Sequence, residues 1–240
     1  MLKFSSLRFV KNQEEARTIP DGKYLIDTLN TYSFNVAYKD PEFAQAIMSA
    51  DFLLPDGVGM LKAGKRLRLP DRPVERVAGW DFFVIAMEKL NEKGGKCMFL
   101  GSSDPVLEKI RERAAKEYPG IEVITYSPPY KPEFSPEDNA AMVAAVNAAD
   151  PDLLWIGMTA PKQEKWVHAH WHELDIHCNT GTIGAVFDFY AGTVQRAPVS
   201  WQKHGFEWLY RAIKEPRRMW PRLRSYPAFV WRITKEKYSR

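Results

Sequence analysis

Between residues 23 and 179 short apolar runs alternate with helical patterns, and no other feature restricts the fold so strongly. Residues 23–27 read as a strand. Residues 40–50 read as a helix, with Pro41 in its first turn and Phe43, Ala46, Ile47 and Ala50 on one face. A short strand at 52–54 runs into Pro55-Asp56-Gly57, and a helix over 81–93 ends at Gly94-Gly95. Strands at 97–100, 121–125, 153–156 and 176–179 continue the series with helices between them. Such alternation predicts an α/β fold, a mostly parallel sheet with helices on both faces. Ligands of these sheets bind at the carboxyl ends of the strands, so chemistry is expected in the loops that follow them.

The alternation stops near residue 196. Beyond it Phe206, Leu209, Tyr210 and Ile213 form an amphipathic stripe, and Pro216, Pro221 and Pro227 are expected to break the rest into short helices. Charge changes at the same place: residues 196–240 carry 12 Lys or Arg against 3 Asp or Glu (+9), and residues 1–195 carry 22 against 27 (−5). Two units are therefore expected: an α/β domain over 1–195 that folds through its own sheet, and a basic, aromatic-rich helical appendage over 196–240. Cations interleaved with Trp208, Trp220 and Trp231 suit an anionic membrane surface, a nucleic acid or an ordinary solvated helix face. No run approaches the roughly 20 apolar residues of a membrane span, and the first 17 residues hold no apolar segment of signal-peptide length, so no export is expected. Cys97 and Cys178 lie in apolar runs and are expected as reduced core thiols, which suits the cytoplasm.

Three loops read as following strands combine small residues, hydroxyls and a helix start: Gly101-Ser102-Ser103, 157–163 with Thr159, Lys162 and Gln163, and 179–184. Unpaired backbone N–H groups make such places anion sites, so a nucleotide or phosphate ligand is expected. None carries the P-loop or dinucleotide glycine pattern. Asp56 stands on a Pro/Gly-braced turn after a strand, as a turn residue or a rigidly held general base. Arg76 is a candidate phosphate clamp and Asp81 a candidate helix cap. Asp150-Pro151-Asp152 has a metal-binding spacing but precedes a strand, at the wrong end of the sheet. His168, His170 and His172 do not share one helix face, so no metal is expected at either place.

Seven segments in order carry a resemblance: Thr28-x-Asn30, LPDGVG (54–59), ERVAGWD (75–81), FLGSS (99–103), PKQEKW (161–166), GAVFDFYAGTVQRAP (184–198) and HGFEWLYRAIKEPRRMW (204–220). From about residue 25 to 223 the chain resembles the bacterial WecG/TagA/CpsF glycosyltransferases. The resemblance implies a Rossmann-like α/β fold whose helical C-terminal appendage docks on the inner face of the cytoplasmic membrane. It implies inverting transfer from a UDP-sugar to an undecaprenyl-diphosphate-linked saccharide in cell-surface polysaccharide synthesis, without a metal or other cofactor. It makes Asp56 the base and Thr28, Asn30, Arg76 and Gln163 donor contacts, with Asp188 near the site. Arg211, Arg217 and Arg218 are expected to face the diphosphates. Met158-Thr159-Ala160 and Trp80 depart from the family pattern and bear on donor choice. A homo-oligomer is left open and no nucleic-acid partner is expected. The rival readings are another nucleotide-dependent α/β transferase and a non-enzymatic membrane-surface module.

Overall fold

The computed structural model describes residues 2–198, 200, 201 and 207–239. Six strands form one sheet: β1 (Leu25–Leu29), β2 (Phe52–Pro55), β3 (Gly95–Gly101), β4 (Ile121–Tyr126), β5 (Leu153–Gly157) and β6 (Asn179–Thr182). Every pairing is parallel, in the order β2-β1-β6-β5-β3-β4, so all carboxyl ends lie along one edge. The helices are α1 (Gln13–Arg17), α2 (Thr31–Ala37), α3 (Pro41–Ser49), α4 (Val58–Arg66), α5 (Gly79–Lys93), α6 (Asp104–Glu117), α7 (Pro136–Ala149), α8 (Lys162–His170), α9 (Gly184–Tyr190), α10 (Glu207–Lys214) and α11 (Pro216–Tyr238). A single 3-10 turn, Phe4–Ser6, precedes them.

A strand buried on both faces carries apolar side chains without alternation, which is why 97–100 and 153–156 were legible as strands. In β3, Cys97 and Phe99 enter one cluster with Phe83, Trp155, Phe187 and Tyr190, while Met98 and Leu100 enter another with Ile156, Met142 and Val167. Helices therefore cover both faces, as expected. Both cysteines are buried and unbridged.

Two expectations from sequence need correction. The last strand is β6, not 176–179, so Thr180, Gly181 and Thr182 are strand residues rather than a post-strand loop. The segment looks like a loop because it is polar and small. It is a strand because a Cβ on Gly181 would meet the Trp155 indole at 2.3 Å, and because the Thr182 hydroxyl donates to Asp27 on β1 at 2.6 Å. The neighbouring strands supply both the reason for the glycine and the partner for the hydroxyl.

The second correction is to the C-terminal segment. Pro216 starts a single 23-residue helix that continues through Pro221 and Pro227. Each interior proline removes a backbone hydrogen bond, at roughly 3 kcal/mol or more. Tertiary packing offsets this. Phe229 and Ile233 are buried in the cluster that also holds Leu29, Phe34, Phe43 and Met60, and each contributes about 1.5–3 kcal/mol by burial. The Phe34 and Phe229 rings meet edge-on at 5.5 Å. Asn35 donates to the Ser225 carbonyl at 2.7 Å, the buried Arg232 donates back to the Asn35 side chain, and Glu236 accepts from the amides of Phe4 and Ser5 at 2.8 Å each. The last three turns of α11 thus close the hydrophobic cluster on the β1–β2 side. Residues 202–206, with Phe206 of the expected stripe, lie outside the described residues, as do the side chains of Arg211 and Arg218.

Candidate active site

The carboxyl edge of the sheet gathers charged residues from three separate stretches of chain. Asp56 follows β2 directly. Gly57, which adopts φ 108° and ψ 151°, turns the chain from the strand into α4. A Cβ there would have open space around it, so the left-handed backbone, not crowding, selects glycine. The Asp56 side chain keeps 37% of its surface exposed, and Arg76 Nη1 lies 3.8 Å from its Oδ1. Arg76 Nη2 lies 3.6 Å from Asp81 Oδ2, the oxygen that accepts from the Ala78 amide at 2.9 Å and so caps α5. Arg196 approaches the other Asp81 oxygen at 3.9 Å and lies over the Trp80 ring at 4.9 Å. The order Asp56, Arg76, Asp81, Arg196 sets two guanidiniums on either side of one carboxylate. Such an array holds two cations ready for a diphosphate while leaving one carboxylate, Asp56, accessible.

Thr28 and the loop after β6 adjoin this array. A Cβ on Gly79 would lie 3.2 Å from both Thr28 Cγ2 and Ile183 Cγ2. At the start of α4, just past Asp56 in the chain, a Cβ on Gly59 would meet Thr31 at 2.3 Å and the rings of Tyr226 and Phe229 at 3.6 and 3.8 Å. The C-terminal helix therefore rests on the start of α4, one turn from Asp56. Arg222 on the same helix lies over the Tyr32 ring at 5.5 Å.

The other residues singled out from sequence are placed differently. Asn30 caps α2, its side chain accepting from the Tyr32 and Ser33 amides at 3.0 Å. The Ser102 amide is taken up by the Gly157 carbonyl at 3.0 Å, and Gly101 (φ 122°) allows that approach, since a Cβ on it would stand 2.4 Å from the same oxygen. Asp104 already places a negative charge in the first turn of α6, which makes that helix start a poorer anion site. Lys162 donates to the Lys131 carbonyl at 2.5 Å and lies over Phe134 at 3.4 Å; partial burial lowers its pKa. It is thus engaged on the β4–α7 loop. Thr159 is exposed, Asp188 is half-buried on α9, and Arg217 is exposed at the start of α11.

Gln163 is buried at 4% exposure. Its carbonyl oxygen accepts from the Met158 amide at 3.1 Å and would stand 2.7 Å from a Cβ on Gly184, so it ties the loops after β5 and β6 together. Its amide donates to the equally buried Glu164 at 2.9 Å. Trp80, singled out from sequence as bearing on donor choice, lies under Arg196, which sequence reasoning missed. Arg196 lies on an irregular stretch with no periodic signal, and only the fold brings it to Asp81.

Asp150 ends α7 in the left-handed region, and Asp152 accepts from the Lys96 amide at 2.8 Å, both at the amino end of the sheet. Among the described residues no three His, Cys, Asp or Glu side chains group as a metal site.

The sequence profile described as the Glycosyl transferase WecG/TagA/CpsF family matches residues 5–240. Two relatives bear the name N-acetylglucosaminyldiphosphoundecaprenol N-acetyl-beta-D-mannosaminyltransferase. The one from Bacillus spizizenii is 31% identical over 84% of this chain and 75% of its own length. The one from Bacillus subtilis is 30% identical over 89% of this chain and 80% of its own length. A Staphylococcus aureus protein of the same name is 28% identical over 88% and 80%.

Proposed function

Because the chain belongs to the WecG/TagA/CpsF family of glycosyltransferases, we propose that it moves an N-acetylhexosamine-type sugar from a UDP-sugar onto an undecaprenyl-diphosphate-linked saccharide. The observation that carries this reading is the Asp56–Arg76–Asp81–Arg196 array at the carboxyl edge. Asp56 takes the proton of the acceptor hydroxyl as that oxygen attacks the anomeric carbon. Arg76 and Arg196 stabilise the negative charge on the departing nucleoside diphosphate. The relatives' names specify a β-linked product, which from an α-configured nucleotide sugar is inversion by one displacement. The experiment is a screen of UDP-sugars against a short-chain lipid-diphosphate N-acetylglucosamine acceptor, following UDP release. Turnover of a different nucleotide substrate without UDP-sugar hydrolysis or transfer would transfer the case to another nucleotide-dependent enzyme.

In this reading Arg76 and Arg196 supply the positive charge against the diphosphate that a metal-dependent transferase takes from a bound cation. Activity is therefore expected to persist in excess EDTA. Complete loss on chelation, with recovery on adding Mg²⁺ or Mn²⁺, would overturn the metal-free assignment.

The acceptor's lipid requires a membrane surface, and α11 offers one. No described helix is long and apolar enough to cross a membrane. Trp220, Arg224, Trp231, Lys235 and Tyr238 fall on one helical stripe, opposite the docked Phe229 and Ile233. Trp220 and Trp231 are 57% and 59% exposed, with Arg224 and Lys235 over their rings. The amphipathic rings suit the headgroup layer and the cations suit anionic lipid. This supports peripheral membrane binding, which the proposed reaction assigns to the inner face of the cytoplasmic membrane. The protein is expected to bind anionic vesicles and come off as salt rises. Replacing Trp220 and Trp231 together with Ser should weaken vesicle binding by about tenfold or more while leaving the melting temperature unchanged. Equal binding by the double variant would assign the stripe to solvent.

A further inference from the structure

Beneath α8 lies a polar cluster that the transfer reaction leaves unused. Asp27 on β1 is 0% exposed and Glu164 on α8 is 2% exposed. Asp27 Oδ1 accepts from the Thr182 hydroxyl, and Glu164 Oε1 accepts from the Gln163 amide. The second oxygen of each carboxyl, and the Thr180 hydroxyl beside them on β6, are buried without a hydrogen-bond partner. Among the described residues no cation pairs with either carboxyl. Lys165 on α8 is paired with Asp40 and Glu42 at 2.7 and 2.9 Å, His168 meets Ser49 of α3, and Asp51 before β2 accepts from the Leu25 amide. Two bare carboxylates buried together without a cation are strongly disfavoured.

We infer that Asp27 and Glu164 form one proton-holding brace, retaining at least one proton at neutral pH, which through Gln163 positions the loops after β5 and β6. Hydrogen bonds join Thr182 to Asp27, the Gln163 amide to Glu164 and the Met158 amide to Gln163, which also packs against the start of α9, and the two carboxyls act on each other through their charge. Burial pushes both carboxyls well above the usual carboxylate range, and the charge of Asp27 raises Glu164 further. Glu164 is thus a positioning residue. Its proton keeps the pair neutral enough to remain buried, and while Glu164 stays buried its Oε1 holds the Gln163 amide and so leaves the Gln163 carbonyl on Met158.

The sign of the linkage is fixed by this direction. In the unfolded chain both acids ionise near pH 4; in the folded chain they hold their protons to higher pH. The folded state therefore binds more protons, and stability present at low pH is lost as pH rises through the folded-state titrations. Glu164→Gln keeps an acceptor for Gln163 and removes the titration. Relative to the wild type it should melt at a higher temperature at about pH 8 and at nearly the same temperature at about pH 4. The effect on catalysis rests on the glycosyl-transfer reading. Wild-type KM for the donor should rise toward about tenfold per pH unit on the alkaline side, with that limb flattened and kcat retained in Glu164→Gln. Carboxyl-labelled NMR of the unmodified protein reads the protons directly, independent of any activity or variant. Titration of both carboxyls below about pH 5 overturns the brace. An unchanged alkaline limb in Glu164→Gln, with the raised titrations present, overturns the positioning role alone.

Discussion

Asp56→Asn is expected to lower turnover by about 100-fold or more while UDP binding is retained, the usual size of a general-base contribution. The geometry makes this substitution a clean one. Asn is nearly isosteric, Gly57 still supplies the left-handed turn, and Arg76 keeps its second carboxylate partner, Asp81, at 3.6 Å. The pair it loses is long, at 3.8 Å, and partly exposed, so its contribution to stability is about 0–1 kcal/mol. The fall should therefore appear in kcat with the melting temperature little changed. Wild-type turnover by the Asn variant would remove Asp56 as the base and leave the guanidinium pair as the principal contribution of this edge.

Ending the chain at Gln195 is expected to destabilise the α/β body as well as detach it from lipid. The composition break at residue 196 suggested a unit that folds through its own sheet. In the structure Phe229 and Ile233 cover Leu29, Phe34 and Met60, and Glu236 holds the amides of Phe4 and Ser5. Removing two buried apolar side chains and their polar anchors costs on the order of 5 kcal/mol, a large share of the 5–15 kcal/mol by which domains are stable. That corresponds to a fall of about 10–20 °C in melting temperature for a chain of this size. Circular dichroism of the truncated protein checks it. A melting temperature equal to the full chain's would mean that α11 contributes no net stability. Phe229→Ala in the full chain separates packing from membrane contact: it should lose about 3–5 kcal/mol while retaining the exposed Trp220–Trp231 stripe.

What the sequence determined was the alternating architecture and the edge at which to look. Cys97–Leu100 and Leu153–Ile156 announce buried parallel strands because both faces of such strands are apolar. Asp56, Arg76 and the cap at Asp81 announce themselves because turn and cap chemistry is local and acts over a few residues. The seven ordered motifs added the family, now matched over residues 5–240.

What only the tertiary structure decided depended on groups far apart in the chain. The polar run 179–182 is a strand because Trp155 and Asp27 meet it from neighbouring strands. The helix through Pro221 and Pro227 persists because burial of Phe229 and Ile233, together with the hydrogen bonds to Asn35, Phe4 and Ser5, offsets two lost backbone hydrogen bonds. Arg196 joins Arg76 only when the end of α9 returns to the start of α5. Asp27 and Glu164, 137 positions apart, form a pair only when α8 lies across β1. Local propensity and periodicity hold no record of such partners, since their energies arise from desolvation and contact that exist only once the sheet is assembled.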